Sequence, residues 1–341
     1  MEREVTKLSP NTLNPDLTPE SAARTVLIAT IPGVTATIFF YGPGILVNIL
    51  WGSMIAVLLE MLALKLRKQS PLSTIKDFSA ILTATLLSIS IPPYSPWWLI
   101  AIGVFSSLIL AKHIFGGPRQ AIFNPVMIGY AVLLISFPIE MTSWQPSTHF
   151  SEAPTFLAAL KACFAPDYFD AKTMATPLDI LRHNKALTTA DLWLSYPQLG
   201  HWGGKGLEWI SIAYLASGLW MLKKGLFTWH APFSMLLSIT LASVLFYDYG
   251  SSASGGSPIF HLLSGGTMLG AFFIITQPAG SPRSAVGKIM FGGLIGILIY
   301  IIRSEGLYPD GIAFSILVMN FATPLIDHLA RPNNATKSNV A

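Results

Sequence analysis

Apolar runs long enough to cross a bilayer recur along the whole chain, separated by short polar connections, and no feature constrains the fold more. They lie near residues 24–42, 44–66, 78–92, 97–114 and 123–139. After a gap they resume near 208–222, 231–248, 259–277, 285–303 and 311–329. A helix needs about 20 apolar residues to span the hydrocarbon core, and a bilayer admits only helices or closed barrels. With 52% apolar and 11% charged residues among 341, the chain has too few charges to cover a soluble surface of its size. The expected fold is therefore an all-α polytopic membrane protein of about ten transmembrane helices, in contact with membrane lipid.

Charge sets the expected orientation. Lys65, Arg67, Lys68 and Lys76 follow the second run, whereas the connections at 41–44 and 92–96 carry no charge. The positive-inside rule then places both termini in the cytoplasm. The chain divides into a polar tail (1–22), a first five-helix half (23–139), an extracytoplasmic loop (140–207), a second five-helix half (208–330) and a tail (331–341). Within the loop, Thr155–Ala165 looks helical. No cleaved signal peptide is expected at the start. The net charge of +4 sits in short clusters between apolar runs, a pattern of membrane orientation, so no nucleic-acid partner is expected.

The halves share punctuation. Ser79 to Pro96 and Ser264 to Pro282 are short Ser/Thr-rich segments stopped by prolines, and Asn124-Pro125 and Pro309-Asp310 each open a last helix. Two inverted five-helix repeats fit this pattern, and such repeats place binding sites near the bilayer centre. Shared helix-end punctuation alone accounts for it as well.

Candidate chemistry is sparse. Cys163 is the single cysteine, which excludes an internal disulfide and a cluster held by several thiolates of this chain. There is no Gly-rich dinucleotide fingerprint, and His113, His230 and His261 lack the spacing of haem ligands. Glu60 is expected to pair with Lys65 at the interface, and Asp327 with His328 and Arg331. Arg303 falls at the outer boundary, with Glu305 or Asp310 as partner. No metal site is expected, and no catalytic residue.

The most distinctive stretch is Ser264-Gly-Gly-Thr267-Met-Leu-Gly-Ala-Phe-Phe-Ile-Ile-Thr-Gln-Pro278. Small residues here fit close helix packing, but the segment also resembles the covalent-flavin segment of the RnfD (RsxD) and NqrB family. A second stretch, Lys112–Pro138 with its Phe-Asn-Pro, running on to Met141–Trp144, resembles RnfD more than NqrB. These are membrane subunits of ion-translocating electron-transport complexes.

The resemblance implies FMN joined through a phosphoester to Thr267, with Ser264, Gly265 and Gly266 near the phosphate, and leaves room for a second, non-covalent riboflavin. It implies a bacterial inner-membrane location with the long loop periplasmic. It further implies partner subunits with iron–sulfur clusters and flavin, and a flavin transferase working outside the membrane. Asn124 is a candidate for the cofactor pocket, with a helix N-cap as its other reading. Arg119 is a candidate phosphate or partner contact, or an interface anchor. The match departs from the family where Gly266 replaces the alanine before the acceptor threonine, and where His261 replaces an acid six positions upstream of it. Gln277 and Arg119 are further departures. The competing expectation is a solute transporter or channel built on inverted repeats.

Overall fold

The computed structural model describes residues 18–68, 77–115, 121–152, 154–165 and 173–330, which contain helices and no strand. The first half holds α1 (Pro19–Tyr41), α2 (Gly44–Leu66), α3 (Ser79–Ser90), α4 (Trp97–Ile114) and α5 (Pro125–Ser136). Among its described residues the loop carries four short α-helices: α6 (Pro138–Thr142), α7 (Phe156–Phe164), α8 (Pro177–His183) and α9 (Thr189–Ser195). The second half holds α10 (Leu207–Lys223), α11 (His230–Leu245), α12 (Pro258–Leu263), α13 (Thr267–Leu269, continuing in wide π turns over Gly270–Ile274), α14 (Ala285–Glu305) and α15 (Ile312–Leu329).

Helix thus occupies each of the ten apolar runs. Five of these helices, α1, α2, α4, α14 and α15, are long and apolar enough to cross a membrane. The twelve residues of α3 rise only about 18 Å, short of a hydrocarbon core of about 30 Å. Large apolar side chains such as Phe39, Leu50, Leu66 and Phe321 point outward and are exposed. Water would penalise that surface; lipid does not. The chain is a multi-pass helical membrane protein.

Close backbone approach replaces the hydrophobic effect as the cohesive force between such helices. It is clearest where α14 crosses α11. A Cβ on Gly292 would lie 2.3 Å from the Ala231 carbonyl oxygen, and one on Gly296 2.4 Å from that of Met235. Only glycine permits this crossing. The two halves also meet through a pair of asparagines. The Asn124 side chain caps α5 by accepting from the backbone N–H groups of Val126 and Met127 (3.0 and 3.2 Å), and the Asn124 backbone N–H donates to Asn320 Oδ1 at 2.9 Å.

One expected pairing is corrected. Glu60 is fully buried and pairs with Lys112 (2.9 Å) and His113 (3.0 Å), not with Lys65. The turns of α4 widen over Ser106–Ile114, the stretch that carries both Lys112 and His113 against α2. Asp327 accepts from the Arg283 backbone N–H at 3.1 Å, so it closes the α13–α14 connection; Arg331 lies outside the described residues.

The long loop folds back onto the bundle. The Thr148 N–H donates to the Phe40 carbonyl at 2.8 Å, and Arg182 donates to the Leu307 carbonyl, so the loop covers the ends of α1 and α14 together. Helix α7, capped by Thr155, packs on α2 with Trp51 edge-on to Phe164 at 5.1 Å.

Two measurements check this packing. Glu60→Ala leaves Lys112 and His113 buried without their carboxylate and is expected to cost about 3–5 kcal/mol; unchanged unfolding in detergent contradicts the buried triad. Burial pushes the Cys163 thiol up to about 11, and the thiolate is the reactive form. Alkylation of the folded protein is therefore expected to be slow at pH 8 and to rise toward pH 11. Rapid labelling at pH 8 would show that α7 is not seated on the bundle.

Candidate functional site

The eighth apolar run is not one helix. Ser257 caps α12, which ends after six residues at Leu263, and the chain then passes through Gly265 at φ +59°, a left-handed conformation that favours glycine. Helix resumes at Thr267. The break leaves carbonyls of α12 without helical partners inside a low-dielectric core, where each must be satisfied by something else.

Side chains close the gap. The Thr267 hydroxyl donates toward the carbonyls of His261 (2.7 Å) and Ser264 (3.1 Å) and accepts from Arg303 Nη2 at 2.9 Å. Arg303, from the last turn of α14, also donates to the His261 carbonyl at 2.8 Å and pairs with Asp310 at 3.0 Å. Asp310 in turn accepts from the Gly266 N–H at 2.9 Å, and Ser264 Oγ donates to the Gly203 carbonyl at 2.6 Å. Arg303 thus pairs with Asp310, one of its two expected partners, and the pair is central to the region. An arginine closing an apolar run, with an aspartate seven residues on, was the available signal.

Ser264, Thr267 and Asn124 are all enclosed in this arrangement. Thr267 is 0% exposed and its hydroxyl is saturated. Ser264 Oγ and the Gly266 N–H are both engaged within the protein, so in this conformation neither is free for a phosphate. Asn124 is fully buried and its amide group donates to the Ile274 carbonyl and Gln277, so its N-cap role uses the side chain completely. Arg119 lies outside the described residues.

Gly265 and Gly266 nevertheless face an open space. They form one wall of a cavity whose other walls include Tyr41, Tyr130, Trp144, Tyr214, Met127 and Met141. The loop closes it with Thr176, Asp179 and Lys205. Helix α8 is fitted to the break: a Cβ on Gly265 would lie 2.5 Å from Asp310 Oδ2 and 2.7 Å from Leu178 Cδ1.

Thr176 therefore emerges as a second hydroxyl at this site. It is half-buried, lines the cavity and caps α8. Its Oγ1 accepts from the Asp179 N–H at 3.2 Å while Asp179 Oδ2 accepts from the Thr176 N–H at 3.3 Å, a reciprocal capping box, and Oγ1 also donates to Oδ2 at 2.6 Å. Both departures found around Thr267 vanish here. Ala175 precedes Thr176 directly, and Asp170 stands six positions before it, although Asp170 itself lies outside the described residues. That spacing was the sequence signal for Thr176.

Comparison with known proteins places the chain. The model of the NQR2, RnfD, RnfE family matches residues 6–336. The chain belongs to this family. It is 48% identical over 313 residues to a Cellvibrio japonicus protein described as the D subunit of an ion-translocating oxidoreductase complex, covering 90% of this chain and 88% of that protein. A Pseudomonas aeruginosa protein of the same description is 44% identical over 325 residues, covering 95% and 93%. An Escherichia coli one is 43% identical over 322 residues, covering 90% and 91%. Within this NQR2, RnfD, RnfE member, the matched span includes the helix break, the loop that covers it and the cavity between them.

Gly265→Ala places a side chain where the backbone is left-handed and α8 is in contact. It is expected to destabilise the protein by at least about 1–2 kcal/mol, read as a lower unfolding midpoint in detergent. An unchanged midpoint would contradict the tight seating of the loop on the break.

Proposed function

We propose that this chain is the D subunit of an ion-translocating oxidoreductase complex of the Rnf/Rsx type, holding FMN covalently in the cavity between the helix break and the loop. The observation that carries the reading is the meeting of Thr176 with Gly265 and Gly266 on one cavity. The names of the relatives supply the complex.

The attachment point we propose is Thr176, in place of Thr267. Thr176 is partly exposed on the loop, within reach of a flavin transferase acting from outside the membrane, whereas Thr267 is enclosed. The residues present fit a flavin. Aromatic and thioether side chains offer flat apolar walls for the isoalloxazine. Ser147 Oγ, buried on the cavity wall without a hydrogen-bond partner, supplies a hydroxyl for a polar ring edge. Lys205 supplies a cation on the side of the loop for the phosphate. A bound flavin exchanges electrons one or two at a time, and the protein tunes its potential through burial and hydrogen bonds to the ring.

In this reading the chain relays electrons between partner subunits that hold iron–sulfur clusters and a further flavin, while the assembly moves ions. Ten crossings in two inverted halves, with both termini cytoplasmic in a bacterial inner membrane, complete it. The loop's contacts with the far ends of both α1 and α14 support that parity, because both helices then end on the outer face. The electron-carrier reading displaces the solute-transporter alternative, since it accounts for the family and for the paired sequence signals at Ala175 and Asp170.

The test is in-gel fluorescence after denaturation of protein produced with its transferase. The wild type and Thr267→Ser are expected to fluoresce, and Thr176→Val to be dark while remaining in the membrane fraction. Fluorescence retained by Thr176→Val would overturn the attachment site.

A further inference from the structure

We infer that Asp179 is the proton acceptor for esterification of Thr176, an inference that rests on the proposed attachment site. An alkyl hydroxyl is a weak nucleophile at neutral pH and needs an adjacent base. A general base must lie within about 2.6–3.2 Å of the proton it removes. Asp179 Oδ2 already accepts that hydrogen bond at 2.6 Å, and Asp179 lines the same cavity as Thr176.

The step balances with a flavin dinucleotide as donor, presented by the transferase. Thr176 Oγ attacks the phosphorus on the flavin side of the pyrophosphate, and the Oγ–P bond forms. The bond from that phosphorus to the bridging oxygen breaks, so the other mononucleotide leaves with the bridging oxygen. The hydroxyl proton passes to Asp179 Oδ2, and nothing is oxidised or reduced. In the product Oγ has no proton to donate, and Asp179 faces a phosphodiester anion. The Thr176 Oγ1 to Asp179 Oδ2 hydrogen bond is therefore lost once the flavin is attached.

The loop contains its own control. Thr188 caps α9 and donates to Asp191 Oδ2 at 2.7 Å, the same pairing, but that pair is exposed and is not among the residues lining the cavity. A hydroxyl–carboxylate cap alone is thus not the site; its place on the cavity is what distinguishes Thr176 and Asp179.

The experiment follows covalent flavin against time in the full-length protein in detergent, with FAD and the purified transferase. Asp179→Asn keeps an acceptor for the cap but is a poor base, and its rate is expected to fall by about a hundredfold. Asp191→Asn is expected to keep the wild-type rate. Should Asp179→Asn lower the unfolding midpoint, Asp179→Glu and Asp179→Gln decide together: both can complete the capping box, so a base role restores the rate in the Glu variant alone, and a purely capping role restores it in both. Modification of Asp179→Asn at the wild-type rate overturns the inference. Flavin on the wild-type protein at a residue other than Thr176 overturns the attachment site itself, a separate outcome read from the labelled peptide.

Discussion

The Arg303 guanidinium holds the broken helix together, and the cavity depends on it. Interrupting a helix inside a membrane protein strands carbonyl oxygens where water cannot reach them, at several kcal/mol each. Arg303 and the Thr267 hydroxyl take up those carbonyls at His261 and Ser264. A buried cation needs a counter-charge, and Asp310 provides it while also holding the Gly266 N–H. One network thereby satisfies the break, fixes the left-handed turn at Gly265 and presents a wall without side chains to the cavity.

This explains why Ser-Gly-Gly-Thr is small and hydroxylated. Its threonine is a structural hydroxyl that completes the helix break. Its glycines make room for Leu178 of the loop and for the cavity beside it. In the proposed reading the reactive hydroxyl belongs to the element that covers this wall. A loop that packs on a rigid scaffold and carries the chemistry is a common division of labour.

Much of the architecture was legible in the residues. Apolar length located the helices, Thr155 announced α7, and Asn124 before Pro125 marked an N-cap. The tertiary partners were not legible. Glu60 found Lys112 and His113, some fifty residues on in the widened turns of α4, and no local pattern announced that. The membrane segment drew attention to Thr267 because its likeness to a flavin segment is long and contiguous. The criteria for an acceptor, an alanine just before and an acid six before, were met instead at Ala175 and Asp170 in the loop. Only the fold shows that loop and break share one cavity, since they are some ninety residues apart in the chain.

The central claim is that the loop threonine, held over a glycine wall stabilised by Arg303, bears the flavin. Peptide mass spectrometry of the protein purified from its native membrane tests it most directly. The expected result is an FMN phosphoester on the peptide containing Thr176, with the peptide containing Thr267 at its unmodified mass. A flavin mass on the Thr267 peptide, or on neither, would contradict the account.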